Sequence, residues 1–334
     1  MKKMLTAGII ILGIGLVLVL VGFGMNGFRL PTHVSETNTY TVTEDFSDIS
    51  VNIETADVRF LPAEGETCTA VCKEQQKYRF AVTSDGSTLS VTCVDTRKWY
   101  ERIFTLFTPS VTVYLPKNAY GALSVHLTTG DTEVAFGFLF DSVSLHGTTG
   151  DAKFFANVKN NLSVETTTGR ILVSGTACAD LDACLTTGSI AITDTSCSAL
   201  TIRLTTGDTR LTNTTCAQLQ MKATTGDITL TNTLSFGRID IQTSTGNVRF
   251  NASDGAELFV KTNTGNITGT LVTDKVFLAH TDTGRVRVPK TTTGGRCELT
   301  TDTGNILLDI APPDATVPDE VFETAPLVDP PAEE

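Results

Sequence analysis

The segment LTTGDTRLTNTTCAQLQMKATTGDITL, from Leu204 to Leu230, contains the phrase Thr-Thr-Gly-Asp twice, 19 residues apart. Between Thr128 and Asn305 a related phrase, usually Thr-Thr-Gly followed by Asp, Asn, Arg or Ser, occurs ten times. The interval is always 19 or 20 residues, and a constant period of this length indicates stacked structural repeats. The ten glycines are Gly130, Gly150, Gly169, Gly188, Gly207, Gly226, Gly246, Gly265, Gly284 and Gly304.

The residues around each glycine alternate between apolar and polar, as β-strands do. Leu200, Ile202 and Leu204 precede Gly207 with this period, and Ile228 and Leu230 follow Gly226 in the same way. This alternation predicts that each repeat consists of a strand, a turn and a second strand. The repeat shows no helical periodicity. The fold class is all-β, a single-stranded parallel β-helix (solenoid) with coils of 19–20 residues, in which each coil bonds to the next.

The ten glycines are predicted to be structural turn residues, because glycine adopts positive φ and a neighbouring Asp or Asn can bond nearby backbone amides. Adjacent coils would bring successive carboxylates within about 4.8 Å of each other. Calcium, which prefers oxygen ligands, is the alternative role for this column. Arg170, Ser189 and Arg285 interrupt the column, which favours turn chemistry. The carboxylates concerned are Asp131, Asp151, Asp208 and Asp227.

The N-terminus predicts one membrane anchor. Lys2 and Lys3 precede an apolar run, residues 4–24, with Thr6 as its polar exception. About 20 such residues span a bilayer as a helix. A cleaved signal peptide is the alternative, but its apolar region is normally about 7–15 residues long. The lysines place residues 1–3 in the cytoplasm and the bulk of the chain outside the membrane.

The net charge of −12 opposes binding to nucleic acid and to an anionic membrane surface. Seven of the acidic residues lie in the Pro-rich segment 311–334, which contains no Lys or Arg and is predicted to be disordered. This tail would end the solenoid and discourage further strand pairing; partner binding is the alternative. The predicted organisation is a cytoplasmic N-terminus (1–3), a transmembrane helix (4–24), a stalk (25–41), a β-helix domain (42–310) of ten to eleven coils, with a capping hairpin region (68–116) and regular coils (121–310), and the tail (311–334).

An aromatic cluster lies inside the predicted capping region, where the repeat is lost. A β-helix needs cover for its first coil, and such a cluster would form the hydrophobic seam of that cap. Alternatively, it is an exposed patch that touches a partner or the membrane interface. The possible interaction residues are Trp99, Tyr100, Phe104 and Phe107.

Short motifs before the repeats carry a family resemblance. They are Phe46-x-x-Ile49-x-Val51, Ile53-Glu54-Thr55-Ala56-Asp57-Val58, Leu89-x-Val91 and Val111-x-Val113-x-Leu115-Pro116. Together with the basic N-terminus, the apolar helix and the Thr-Thr-Gly-Asp coils, they resemble the bacterial "putative adhesin" domain family of unknown function over about residues 40–310. The resemblance implies a β-helix at the cell surface, and adhesion by name alone.

Other reactive residues predict structure rather than chemistry. His126 and His146 should be outward neighbours on successive coils, and two ligands are too few for a stable zinc site. Cys178, Cys197 and Cys216 share one column, in which one pair could oxidise. Cys184 should point outward and Cys297 inward, while Cys68 or Cys72 could reach Cys93 across a hairpin. No metal or cofactor site is predicted.

The predicted function is therefore non-enzymatic. Coils that vary by one residue leave no long loops to wall a catalytic groove. We expect a single-pass protein of the cell membrane that contacts membrane lipid through its N-terminal helix and acts outside as an envelope scaffold or accessory protein for other envelope proteins. The alternative is an adhesin-like module that binds cell-wall glycan or another surface; its outward columns, however, are mainly polar.

Overall fold

The structure of the chain is a computed structural model. It describes residues 35–98 and 107–311, together with positions 8, 13–15, 17 and 21 near the N-terminus. Those six positions are helical. Within the described part of the chain, no helix has the length and apolarity needed to cross a membrane. Most of the predicted transmembrane segment 4–24, and the tail from residue 312 onward, lie outside the described residues.

The described residues form an all-β parallel solenoid of about nine turns. The predicted number of ten to eleven coils was therefore too high. The strands are β1 (Glu36–Val42), β2 (Asp48–Thr55), β3 (Asp57–Pro62), β4 (Cys68–Glu74), β5 (Tyr78–Ser84), β6 (Thr88–Asp95), β7 (Ser110–Leu115), β8 (Ala119–Thr129), β9 (Thr132–Val134), β10 (Leu139–Thr149), β11 (Ala152–Phe154), β12 (Asn157–Val158), β13 (Asn161–Ser174), β14 (Ala177–Thr206), β15 (Thr209–Thr225), β16 (Ile228–Thr231), β17 (Leu234–Thr245), β18 (Val248–Asn251), β19 (Asp254–Thr264), β20 (Ile267–Leu271), β21 (Lys275–Thr283), β22 (Val286–Arg287), β23 (Gly295–Thr303) and β24 (Ile306–Ile310).

The repeated glycines form the first corner of each coil. All ten have φ between 134° and 156°, a region that residues with a side chain rarely adopt. Space excludes a side chain as well, since a Cβ built on Gly207 would lie 1.5 Å from the carbonyl oxygen of Gly188 in the preceding coil. The close stacking of backbone at this corner therefore requires glycine.

The residue after the glycine links one coil to the next. Its side-chain Oδ1 accepts a hydrogen bond from the backbone N–H at the same position of the neighbouring coil, as between Asp131 and the Asp151 amide at 2.8 Å. Arg170 and Ser189 lack this oxygen, and there the two backbones pair directly as part of β13 and β14. The acceptors are Asp57, Asp131, Asp151, Asp208, Asp227, Asn247, Asn266 and Asn305.

A second corner lies six residues after the glycine and was not predicted. Its residues have φ between 46° and 65° and are Gly175, Asp194, Asn213, Asn232 and Ala252. The amides of Asn213 and Asn232 donate to the side chain one coil below, at 2.8 and 3.1 Å. Directly after the corner residue of the last four coils of this set comes a buried hydroxyl side chain, which donates a hydrogen bond to the backbone carbonyl two residues earlier. These side chains are Thr195, Thr214, Thr233 and Ser253. Asn and Asp tolerate this left-handed conformation better than other residues with side chains.

At the N-terminal end, the stacking order differs from the chain order. The first coil of the chain, β2 and β3, lies second in the stack, with β8 and β9 on one side and β6 and β7 on the other. Antiparallel strands cover the outer coil, because β5 pairs with β6 and β4 with β7. The predicted capping region 68–116 therefore mixes two parallel coil strands with two antiparallel cap strands.

The cap also recruits β1, which pairs antiparallel with β4. Residues 36–41 therefore belong to the sheet, although the sequence assigns them to a stalk. The buried Glu74 carboxylate organises this corner by accepting hydrogen bonds from the Asn38 amide, the Tyr40 hydroxyl and the Phe80 backbone N–H. Each partner satisfies a buried acceptor, which keeps the carboxylate from being an unpaired charge.

At the C-terminal end, the last two coils exchange places. β19 pairs with β23, and β21 pairs with the opposite side of β23, so the last coil of the chain is inserted second from the end. Two glycines make this insertion possible. A Cβ on Gly294 would lie 1.8 Å from the Asp274 carbonyl, and one on Gly295 would lie 1.7 Å from the Ala256 carbonyl. The outermost coil is thus β21 and β22, which the sequence places before the final coil.

Candidate interaction surfaces

The outward face of the strands that precede the glycine corner is polar along most of the stack. At six residues before the corner, the eight coils that follow the outermost N-terminal coil carry Ser50, Ser124, Ser144, Ser163, Asp182, Thr201, Gln220 and Asp240. The same column then changes character, and continues with Phe259, Glu298 and Leu278 in order of stacking. The face therefore presents large apolar side chains at one end of the stack.

Phe259 is framed by charged residues from the coils on both sides. The Arg238 guanidinium lies 3.8 Å from the centroid of the Phe259 ring, and that of Arg296 lies at 5.4 Å. Asp240 holds Arg238 at 2.7 Å and Glu298 holds Arg296 at 2.6 Å. A surface cleft of about 190 Å³ adjoins the ring and is lined by Arg238, Asp240, Ile241, Gln242, Phe259, Val260, Lys261, Glu298 and Thr300. An aromatic face beside acceptors and donors suits a ligand with both apolar and polar surfaces.

The outermost coil carries a second apolar surface, which we call the terminal patch: Val276, Phe277, Leu278 and Val286. Val276 and Leu278 lie in outward columns and are 40% and 52% exposed. Phe277 and Val286 occupy inward columns, yet Val286 is 41% exposed, since no further coil of the described chain covers it. Clustered exposed apolar side chains of this kind mark interaction sites.

Two cations near the terminal patch are exposed and unpaired within the described chain. Residues 275–290 contain Lys275, Arg285, Arg287 and Lys290 against Asp282, but Lys275 is buried against Asp254. Arg287 contacts Asp309 at 2.9 Å. Arg285 and Lys290 are exposed, and neither has a salt-bridge partner in the described chain.

A buried ion pair holds the start of the outermost coil. Lys275 Nζ lies 2.9 Å from Asp254 Oδ1, and both side chains are 3% exposed. The second carboxylate oxygen of Asp254 accepts the backbone N–H groups of Val272 and Thr273 and the Thr273 hydroxyl. The pair thus fastens the loop before β21 to the start of β19, two coils away.

The predicted aromatic cluster is described at one of its four positions. Trp99, Tyr100 and Phe104 lie outside the described residues. Phe107 is half-buried and packs against the hydrophobic core, with the Lys73 ammonium 5.9 Å from the centroid of its ring. Phe107 therefore contributes to packing at the cap.

The two histidines lie where the repeat predicts. The rings of His126 and His146 stack with centroids 4.8 Å apart and planes 3° apart. Glu165 lies on the next coil, 3.4 Å from His146 Nδ1. In the described part of the chain, no group of three or more His, Cys, Asp or Glu has the arrangement of a metal site. In the column after the glycine, each carboxylate Oδ1 is already occupied by a backbone N–H.

The cysteines follow their predicted columns with one exception. Cys197 and Cys216 are in register, Cys184 is half-exposed and Cys297 is buried. A hydrogen bond with Cys178 and then burial raise the pKa of Cys197. Cys93 faces Phe80 on β5, so the prediction that Cys68 or Cys72 would face it was wrong. β4, which carries both, pairs instead with β1 and β7.

Comparison with known proteins places this solenoid in a family. The model of the Toastrack DUF4097 family matches residues 46–309, most of the chain. The chain belongs to the Toastrack DUF4097 family. No curated protein matches the Toastrack chain in sequence.

Three solved structures are similar to the Toastrack chain. A "putative lipid binding protein" from Parabacteroides distasonis is 9% identical with a TM-score of 0.47, covering 83% of this chain and 98% of its own. A "putative adhesin" from Bacteroides fragilis is 12% identical with a TM-score of 0.40, covering 84% and 99%. A "putative adhesin" from Parabacteroides merdae is 11% identical with a TM-score of 0.39, covering 70% and 96%.

Sequence reasoning missed both surfaces of the Toastrack domain described above. The signal for Phe259 was present, because it is the aromatic member of a column that is otherwise polar through eight coils. The terminal patch could not be located in this way. Its exposure depends on which coil is outermost, and an unchanged period of 19–20 residues carries no information on that order.

Proposed function

We propose that this Toastrack protein is a non-enzymatic interaction scaffold of the cell envelope. Its N-terminal helix anchors it to membrane lipid, the solenoid lies outside the membrane, and the terminal patch contacts another envelope protein. The observation that carries the proposal is the cluster of exposed apolar side chains on the outermost coil, where Val276, Leu278 and Val286 are 40%, 52% and 41% exposed. A rigid rod capped at its anchored end presents this patch away from the anchor.

A photo-crosslinking experiment in producing cells tests the partner site. A photoreactive residue replaces Leu278 in one variant and Ser144, in the same outward column, in the matched control. We expect a discrete adduct with one envelope protein from position 278 and none from position 144. Equal adducts from both positions, or none from position 278, would contradict the terminal patch as the partner site.

Localisation has a separate test. Protease added to intact cells should remove the solenoid, whereas a protein inside the cell would survive until lysis. Survival in intact cells, with digestion after lysis, would overturn the proposed topology irrespective of the crosslinking result.

A specific observation favours a second candidate function, the binding of a cell-wall glycan at Phe259. The half-buried Phe259 ring, next to the Asp240 and Glu298 carboxylates and the Gln242 amide, offers apolar surface and hydroxyl partners together. Phe259→Ala should reduce retention on isolated cell wall by about tenfold, as expected for the loss of a buried aromatic anchor. Phe136→Ala is the control, because Phe136 is 75% exposed at another corner. Equal losses in both variants would indicate nonspecific adhesion.

A further inference from the structure

The buried pair of Lys275 and Asp254 differs from two other lysine–aspartate pairs of the described chain in its access to water. Both of its side chains are 3% exposed, and Lys275 Nζ lies 2.9 Å from Asp254 Oδ1. Lys117 and Lys159 also contact aspartates, but their side chains are 54% and 55% exposed. The amine and the carboxylate of the buried pair, held in contact and away from water, are the two groups from which an amide bond forms.

Hydrogen bonds fix the orientation of the two groups. The Lys275 ammonium donates to the Thr273 hydroxyl as well as to Asp254. That hydroxyl donates to Asp254 Oδ2 at 2.8 Å, and the same oxygen accepts the backbone N–H groups of Val272 and Thr273 at 3.1 and 2.7 Å. Three donors on one oxygen stabilise the negative charge that develops there when a nucleophile attacks the carboxyl carbon. Thr273 therefore holds the amine and polarises the carboxyl group at the same time.

We propose that Lys275 and Asp254 condense to an intramolecular amide bond once the chain has folded. The Lys275 nitrogen bonds to the Asp254 carboxyl carbon, Oδ2 becomes the amide oxygen, and the bond between that carbon and Oδ1 breaks. The ammonium gives two of its protons to Oδ1, which leaves as water. The reaction is –NH3⁺ + –COO⁻ → –CO–NH– + H2O, and no oxidant, reductant or other reactant takes part.

The surroundings of the pair favour this condensation. Two buried charges carry a desolvation cost that a neutral amide does not carry. Contact in a fixed orientation replaces an encounter in solution, which raises the effective concentration of the amine by orders of magnitude. A cavity of about 30 Å³ adjoins the pair and is lined in part by Ser235, Gly255 and Ala256. It exceeds the roughly 10–15 Å³ that one water molecule requires, so the released water fits beside the new bond.

The bond ties the end of the solenoid together. Lys275 is the first residue of β21 in the outermost coil, and Asp254 is the first residue of β19. The coil of β23 and β24 lies between them. A covalent link across this inserted coil prevents the outermost coil from detaching. Its value for the terminal patch rests on the proposed function, whereas the bond itself forms without any partner.

The intact mass of the denatured, reduced full-length chain tests the proposal. Lys275→Arg keeps a cation beside Asp254 but cannot form the amide, because its guanidinium stays protonated. We expect the wild-type chain to be lighter than Lys275→Arg by the Arg–Lys mass difference plus one water. Lys159→Arg is the matched control, since Lys159 contacts Asp141 at 2.7 Å in solvent, and it should differ from the wild type by the Arg–Lys difference alone. Fragmentation of the wild-type chain should place the bond between residues 254 and 275.

Thr273 provides a second variant that tests the orientation of the groups. In Thr273→Val the hydroxyl that contacts both groups is lost, so bond formation after cell-free synthesis should be about a hundredfold slower. Thr273→Ser retains the hydroxyl and should restore the wild-type rate. Hydrogen exchange of β23 should be the same in both variants, which verifies that the solenoid is folded.

A wild-type chain that differs from Lys275→Arg by the Arg–Lys difference alone would show an ion pair only and would overturn the proposal. A loss of water that persists in Lys275→Arg would overturn it as well, because that loss would arise elsewhere in the chain. Neither result depends on the crosslinking at position 278. The amide bond and the partner site therefore stand or fall separately.

Discussion

Gly207 shows how tightly a single residue can be specified by its neighbours. Its φ is 135°, and an added Cβ would lie 1.5 Å from the Gly188 carbonyl. Gly207→Ala should lower the free energy of unfolding by about 3 kcal/mol or more, since it combines backbone strain with overpacking. Gly175→Ala is the control, because Gly175 has φ 65° with no atom within 4 Å of a Cβ. It should cost about 1–2 kcal/mol. Equal costs in urea unfolding would show that the carbonyl contact is unimportant.

Ala252 is the residue in the second corner column that fits its conformation least well. Its φ is 46°, where the other coils have Gly, Asp or Asn. Ala252→Gly should raise the free energy of unfolding by about 1 kcal/mol, because it removes the left-handed strain. Ala191→Gly, in a regular strand, should lower it by about 0.5–1 kcal/mol. Thermal unfolding of both variants checks the pair, and a loss of stability in Ala252→Gly would contradict the strain.

Burial of the Cys297 thiol leads us to expect that the folded protein becomes less stable at alkaline pH. Burial raises the pKa of this thiol from 9.0 to about 12. Below pH 9 the Cys297 thiol is protonated in both the folded and the unfolded chain, so pH does not change the stability through this group. Above pH 9 the thiol ionises in the unfolded chain but stays protonated in the folded one, which lowers the free energy of unfolding. At about pH 10.5 the cost is about 2 kcal/mol. Urea unfolding near pH 7 and 10.5 should show that the free energy of unfolding falls by about 2 kcal/mol less in Cys297→Val than in the wild-type chain. Identical falls would refute the assignment.

At the scale of the element, the Lys275–Asp254 pair decides where β21 begins. Lys275→Met leaves the Asp254 charge buried without its cation and should cost about 3–5 kcal/mol. Arg203→Met is the control, because Arg203 contacts Asp182 at 2.8 Å on the surface and should cost less than about 1 kcal/mol. Both are measured by urea unfolding, with hydrogen exchange to localise the effect to β21. A small cost for Lys275→Met would mean that solvent reaches Asp254.

The first corner is predictable from sequence and the second is not, for a physical reason. Glycine is required at the first corner by both φ and contact, so it recurs at every coil from Gly130 to Gly304. The second corner demands only a residue that tolerates the left-handed region, and Gly175, Asp194, Asn213 and Ala252 all satisfy it. Ala56 replaces glycine in the first coil, where the adjacent strands β6 and β7 are separate and do not form the same corner.

At the scale of the whole molecule, both ends place a coil out of chain order. β2 and β3 are enclosed by later strands, and β23 and β24 are enclosed by earlier ones. The terminal coils of an ordinary solenoid have one neighbour and fray independently. Here the coil of β2 and β3 and the coil of β23 and β24 each contact two others, so both lie inside the stack. The period of the repeat is the same for either order, which is why sequence spacing alone does not reveal it.

The enclosed last coil yields a prediction for truncation. Lys275 and Gly295 occupy the same register position on β21 and β23. Because a Cβ at Gly295 would lie 1.7 Å from the Ala256 carbonyl, β21 cannot take the place of β23 against β19. A chain that stops after Gly294 should therefore lose the outermost coil as well. Trypsin should then cleave after Lys275, which is 2% exposed in the full chain, whereas a chain that stops after Ala311 should resist at that bond. Resistance in both chains would show that β21 can dock on β19 directly, and that Gly295 does not determine the order of the coils.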